Sequence, residues 1–145
     1  MAQNLWRWCN RCQGLFYSGQ TTSGTCPAGG GHNYQGSGNY SLHDVAEVPP
    51  NTSQSQWRWC HKCQGLFFGP GLAGSHCPAG GTHDLTGSGN YALQFAPTPG
   101  QDQWRWCNRC QGMFFSGNPT SGWCPASGGG GHNYNMSGDY SLPSA

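Results

Sequence analysis

Twelve residues of this chain are spaced for metal chemistry. Cys9, Cys12, Cys26 and His32 form a Cys-x2-Cys-x13-Cys-x5-His series. Cys60, Cys63, Cys77 and His83 repeat it with the same gaps, and Cys107, Cys110, Cys124 and His132 repeat it with x7 before the histidine. Three thiolates and one imidazole close the tetrahedral shell of a structural zinc site. Soft sulfur ligands disfavour Mg²⁺ and Ca²⁺. The three sets use all nine cysteines. Disulfides are the rival use of cysteine, but an odd count leaves one thiol over and three per set cannot pair within a set. The expected cofactor is therefore Zn²⁺, three per chain and structural.

A catalytic zinc keeps an open coordination position, usually with three protein ligands. Four ligands recurring three times leave none. The chain has no His-Glu-x-x-His and no Gly-x-x-x-x-Gly-Lys, and none of its five carboxylates recurs in all three sets. An enzyme is not expected.

The ligands lie in a threefold internal repeat. Trp6, Trp57 and Trp104 mark equivalent positions, at offsets of 51 and 47 residues. Each copy reads Trp-Arg-Trp-Cys-x-x-Cys-Gln-Gly, then a Gly-rich Cys-Pro-Ala loop, then Ser-Gly-Asn/Asp-Tyr. The copies are read as residues 1–45, 55–94 and 102–145, with polar, Pro-containing linkers at 46–54 and 95–101. Three short strands are expected per copy. Trp-Arg-Trp alternates, Leu/Met-Phe-Tyr/Phe suits the second strand of a hairpin, and Tyr-Ser/Ala-Leu closes the copy. No stretch has helical periodicity.

A unit this small cannot bury a sufficient core alone. A structural Zn²⁺ contributes roughly 10–16 kcal/mol of apparent binding free energy, most of it realised on folding. The expected fold is all-β: three zinc-knuckle β-hairpin repeats packed with pseudo-threefold symmetry, because each Trp pair needs a partner surface.

Composition narrows the function. The formal charge is +1, and all six Lys and Arg fall in the repeated motif. They either offset the net negative charge of a three-thiolate zinc centre or meet a ligand. No apolar run is long enough to span a bilayer, so no membrane insertion is expected. No leader is visible at the start, which leaves the compartment open between cytoplasmic and non-classically secreted.

Phe16, Leu42 and one Trp of each pair are read as core, and Gly14 and the Gly-Ser-Gly stretch as turns. What remains are candidate ligand-binding residues. They are Trp6, Arg7, Gln13, Asn39 and Tyr40; Trp57, Arg58, Gln64, Asn90 and Tyr91; and Trp104, Arg105, Gln111, Asp139 and Tyr140. Aromatic faces with amide, hydroxyl and guanidinium groups suit a sugar, and repetition raises avidity. The expected function is multivalent glycan binding, lectin-like, with one site per repeat. A protein-interaction repeat ranks second. A single-stranded nucleic-acid binder ranks third, since six basic residues over three copies make a thin phosphate footprint.

The motif Trp-Arg-Trp-Cys-x-Lys/Arg-Cys-Gln-Gly-Leu/Met-Phe, with Cys-Pro-Ala, His and Ser-Gly-Asn/Asp-Tyr, resembles tandem zinc-ribbon-like modules of uncharacterised bacterial proteins. The resemblance covers nearly the whole chain outside the linkers. It implies the module type and a bacterial source. The threefold repetition is similar to that of β-trefoil lectins in symmetry only.

Overall fold

The computed structural model describes residues 2–126 and 130–145. It contains nine short strands and three short 3-10 turns among those residues, with no α-helix. Among the described residues no helix is long and apolar enough to cross a membrane. The extra residues of the third Gly-rich loop fall largely at 127–129, outside the described residues.

Each module contributes three strands. The first module has β1 (Gln3–Trp8), β2 (Leu15–Tyr17) and β3 (Tyr40–Asp44). The second has β4 (Ser53–Trp59), β5 (Leu66–Phe68) and β6 (Tyr91–Phe95). The third has β7 (Gln101–Trp106), β8 (Met113–Phe115) and β9 (Tyr140–Leu142). β4 begins within the stretch assigned to the first linker, and two 3-10 turns, Val45–Glu47 and Pro50–Thr52, precede it.

The hairpin register is the same three times. Trp6 pairs with Tyr17 and Trp8 with Leu15. Trp57 pairs with Phe68 and Trp59 with Leu66, and Trp104 with Phe115 and Trp106 with Met113. The first strand also pairs antiparallel with the third strand of its own module, across a bulge. At that bulge Leu5, Gln56 and Gln103 take φ of 74°, 71° and 74°. Their backbone N–H groups donate to Asn39 Oδ1, Asn90 Oδ1 and Asp139 Oδ1 at 2.8, 2.8 and 2.7 Å. An unpaired bulge donor is thus satisfied by a side chain from the third strand's entry.

The modules close into one nearly continuous sheet around a pseudo-threefold axis. At one end Tyr17 N–H donates to Gln64 O, Phe68 N–H to Gln111 O and Phe115 N–H to Gln13 O, each at 2.9 Å. At the other end β3 pairs with β6 and β6 with β9, while Ser41 N–H donates to Pro143 O and closes the circle. Closure leaves few free edges.

The core lies on the axis. Trp6, Trp57 and Trp104 are 0 % exposed and form one cluster with Leu15, Leu66, Met113, Leu42, Leu93 and Leu142. Each of these indoles meets a tyrosine from another module, edge on. The pairs are Trp6–Tyr91, Trp57–Tyr140 and Trp104–Tyr40, all with centroids 5.5 Å apart. The partner surface that each Trp pair requires is therefore supplied across the seam.

Candidate metal centres and module seams

The Cys-x2-Cys knuckle forms at the turn of each hairpin. Cys9 N–H donates to Gly14 O at 2.9 Å and Gln13 N–H to Cys9 O at 2.8 Å, with the same bonds in the other modules. The turn requires a left-handed residue, which Gln13, Gln64 and Gln111 supply at φ 69°, 70° and 71°. Their buried amides hold it in place. Trp8, Trp59 and Trp106 donate their Nε1–H to the glutamine Oε1 at 3.1, 3.1 and 2.8 Å.

Beside each knuckle the four expected ligands converge. In each of the three groups the ligand atoms all lie within 4.8 Å of one another, and every cysteine is buried. Cys9 Sγ and Cys26 Sγ are 3.9 Å apart, as are Cys60 and Cys77, and Cys107 and Cys124 are 3.8 Å apart. A disulfide needs about 2.05 Å. The edge of a tetrahedron with Zn–S near 2.3 Å is about 3.8 Å. All nine cysteines are free.

Backbone donors surround the sulfurs. Gly14 N–H points at Cys12 Sγ (3.4 Å), Ala28 N–H at Cys26 Sγ (3.4 Å) and Asn33 N–H at Cys9 Sγ (3.5 Å). Such donors stabilise thiolates. Protons are shared unequally within each cluster. Hydrogen bonds from partner thiols hold Cys9, Cys60 and Cys107 far below the usual thiol range, and the same bonds together with burial push Cys12, Cys63 and Cys110 well above it. Burial lowers His32 and His132, but bonds to the neighbouring cysteine sulfurs outweigh it and push both up to about 9. The donor set, its spacing and the backbone donors around the sulfurs fit three structural zinc ions, one per module.

The histidines are oriented from two sides. His32, His83 and His132 stack on Phe16, Phe67 and Phe114, with centroids 4.5, 4.6 and 4.6 Å apart. Each Nδ1 faces a cysteine sulfur of its own group, at 3.6–3.7 Å. Each Nε2 faces a backbone carbonyl of another module. A carbonyl only accepts, so Nε2 carries the proton and Nδ1 offers its lone pair to the metal.

The expected ligand-binding residues occupy different places. Trp6, Trp57 and Trp104 were expected to face ligand; all three are fully buried core, and the half-exposed member of each pair is Trp8, Trp59 or Trp106. Gln13, Gln64 and Gln111 are buried braces of the knuckle. Asn39, Asn90 and Asp139 tie down the bulge. Arg7, Arg58 and Arg105 are half-buried and donate to the backbone carbonyls of Gly38, Gly89 and Gly138. Arg11 and Lys62 hold their own Gly-rich loops through backbone carbonyls.

Tyr40, Tyr91 and Tyr140 stand at the seams. Tyr40 O–H donates to Gln101 Oε1 at 2.5 Å, Tyr91 O–H to Gln3 Oε1 at 2.6 Å, and Tyr140 O–H to Gln54 Oε1. Beside them lie clefts that the repeat pattern did not disclose. One of about 190 Å³ is lined by Trp8, Ser37 and Tyr40 of the first module and Gln101, Phe115 and Asn118 of the third. Another of about 150 Å³ lies between Trp106, Met136 and Tyr140 of the third module and Gln54, Trp57 and Phe68 of the second. Gln54 and Gln101 sit at the ends of the linkers and Gln3 begins β1, all outside the repeated motif. Comparison with family models, curated proteins and solved structures gives no match, so the three metal centres and the seams they hold together carry the functional argument.

Proposed function

We propose that this chain is a multivalent carbohydrate-binding protein whose sites lie at the seams between zinc-stabilised modules. One observation carries this reading: in two seam clefts a half-buried indole stands beside a phenol, a glutamine and a serine. Trp8, Tyr40, Gln101 and Ser37 meet in one, and Trp106, Tyr140, Gln54 and Ser137 in another. The third seam brings Tyr91 and Gln3 together in the same way, on the module that carries Trp59 and Ser88.

A pyranose presents a C–H face and a rim of hydroxyls. The face stacks on an indole, and the rim needs donors and acceptors held in fixed directions. Trp57 Nε1 and Trp104 Nε1 are buried without an acceptor among the described residues. Trp57 lines one cleft, and Trp104 packs on Tyr40 and Phe115 of the other. Both nitrogens lie beneath the cleft floor, out of reach of a ligand; in the first module the equivalent Trp6 Nε1–H donates to Gln3 Oε1 at 3.2 Å. Charge contributes little, because the arginines are tied to backbone carbonyls. Three shallow sites on one rigid body would gain through avidity.

A glycan array, followed by calorimetry on Trp8→Ala, Trp59→Ala and Trp106→Ala, tests this. Each substitution should remove one site while three zinc ions stay bound. A blank array together with salt-sensitive binding of single-stranded oligonucleotides would replace this reading with nucleic-acid recognition.

A further inference from the structure

We infer that the three zinc centres form one coupled ring, in which the backbone carbonyl of each module's second cysteine positions the histidine ligand of the preceding module. His32 Nε2 lies 3.0 Å from Cys63 O, His83 Nε2 3.2 Å from Cys110 O, and His132 Nε2 3.1 Å from Cys12 O. The first module thus reaches the second, the second the third, and the third the first. Cys63, Cys110 and Cys12 are themselves metal ligands through their sulfurs. Every centre is therefore completed by a residue that another metal holds in place.

The loops leading to these contacts are built in two ways. In the first and third modules a left-handed glycine passes over the same carbonyl. A Cβ on Gly24 would lie 2.2 Å from Cys63 O, and one on Gly122 would lie 2.1 Å from Cys12 O. The second module instead runs through a 3-10 turn at Gly69–Gly74 and then Ser75, whose Oγ accepts from His83 N–H at 3.0 Å. The histidine-to-carbonyl bond is the same across both loop types. That assigns it to the metal centre rather than to a particular loop.

A metal-bound histidine that loses the partner of its second nitrogen typically loses about 10- to 100-fold in metal affinity. In this ring the partner carbonyl is fixed only when the neighbouring knuckle is folded on its own ion. Binding at one site therefore favours the next, and the reciprocal holds. The chain should load and release its three ions as a set. This coupling does not depend on what the seam clefts bind.

Native mass spectrometry of the full zinc-loaded chain, equilibrated with increasing chelator, reads the distribution directly. At half loading, independent equal sites would leave about three-quarters of molecules with one or two ions. The expected result is a mixture dominated by three-zinc and zinc-free chains, and an independent distribution overturns the inference. The triple variant His32→Cys, His83→Cys, His132→Cys keeps four ligand atoms per site and removes every Nε2–H. Its partly loaded species should rise towards the independent proportion. If it does not fold, His32→Cys alone should accumulate two-zinc chains. A folded variant that still loads all or none would show that the carbonyl bond is not the coupling element.

Discussion

Gln13, Gln64 and Gln111 show how one side chain can decide a local structure. A left-handed φ favours glycine or asparagine, yet glutamine holds it at all three knuckles. The reason is its reach: Oε1 accepts from the indole of Trp8, Trp59 or Trp106, and Nε2 of Gln64 donates to His61 O at 3.1 Å. Gln64→Ala should leave the half-buried Trp59 Nε1–H without its partner and cost about 0.5–1.5 kcal/mol, read as a fall in the thermal midpoint of the zinc-loaded protein. Asn39 and Asp139 make the converse case. The bulge needs only an acceptor, so Asp139→Asn should change stability by less than about 0.5 kcal/mol, whereas Asp139→Leu should cost about 0.5–1.5 kcal/mol through loss of the bond from Gln103 N–H. Denaturant melts of the pair separate the two outcomes. The motif made these residues visible, since they recur three times. It did not show that they serve the backbone, because recurrence marks a structural brace and a binding residue alike.

At the scale of elements, the hairpin and its knuckle were legible from local spacing. Two thiols three residues apart at a hairpin turn must face one point, and the alternation of Trp-Arg-Trp puts both indoles on one face. That same period could not separate Trp6 from Trp8, since both lie on the inner side of β1. Burial was decided by Tyr91, which closes over Trp6 from the second module. The loops that cross the seams give a contrast to test. Gly122→Ala would drive a Cβ into Cys12 O in a left-handed backbone and should destabilise the fold by more than about 1 kcal/mol. Gly74→Ala meets nothing within 4 Å and should be neutral or slightly stabilising by the same measurement. Equal effects would mean that the close approach to the next module's carbonyl is not made in solution.

For the molecule as a whole, the pseudo-threefold closure makes zinc and tertiary structure inseparable. Chelation should abolish the near-ultraviolet dichroism of the buried tryptophans, and readdition of Zn²⁺ should restore it, because modules of this size do not bury enough apolar surface alone. A metal-free chain that keeps its aromatic signals would refute the structural role. The seam tyrosines set a second condition. Burial raises the phenols of Tyr40 and Tyr91 and pushes Tyr140 up to about 12. A phenol whose folded value is raised keeps its proton longer in the native state than in the unfolded chain. Its stabilisation is therefore full below the ordinary value near 10 and is lost as pH rises through the folded value. Stability should decline between about pH 10 and 12. Tyr140→Phe, measured by equilibrium unfolding across that range, should flatten part of the decline.

The sequence by itself determined the ligand set, the number of modules and the all-β class. These depend on residue types at short fixed separations, and a tetrahedral ion reads such spacing directly. Only the tertiary structure decided which tryptophan is core, where the clefts lie and how the centres are joined. Those features come from contacts between residues 31 to 120 positions apart, as in His32 with Cys63 and His132 with Cys12. They arise where three copies meet, and no single copy contains them.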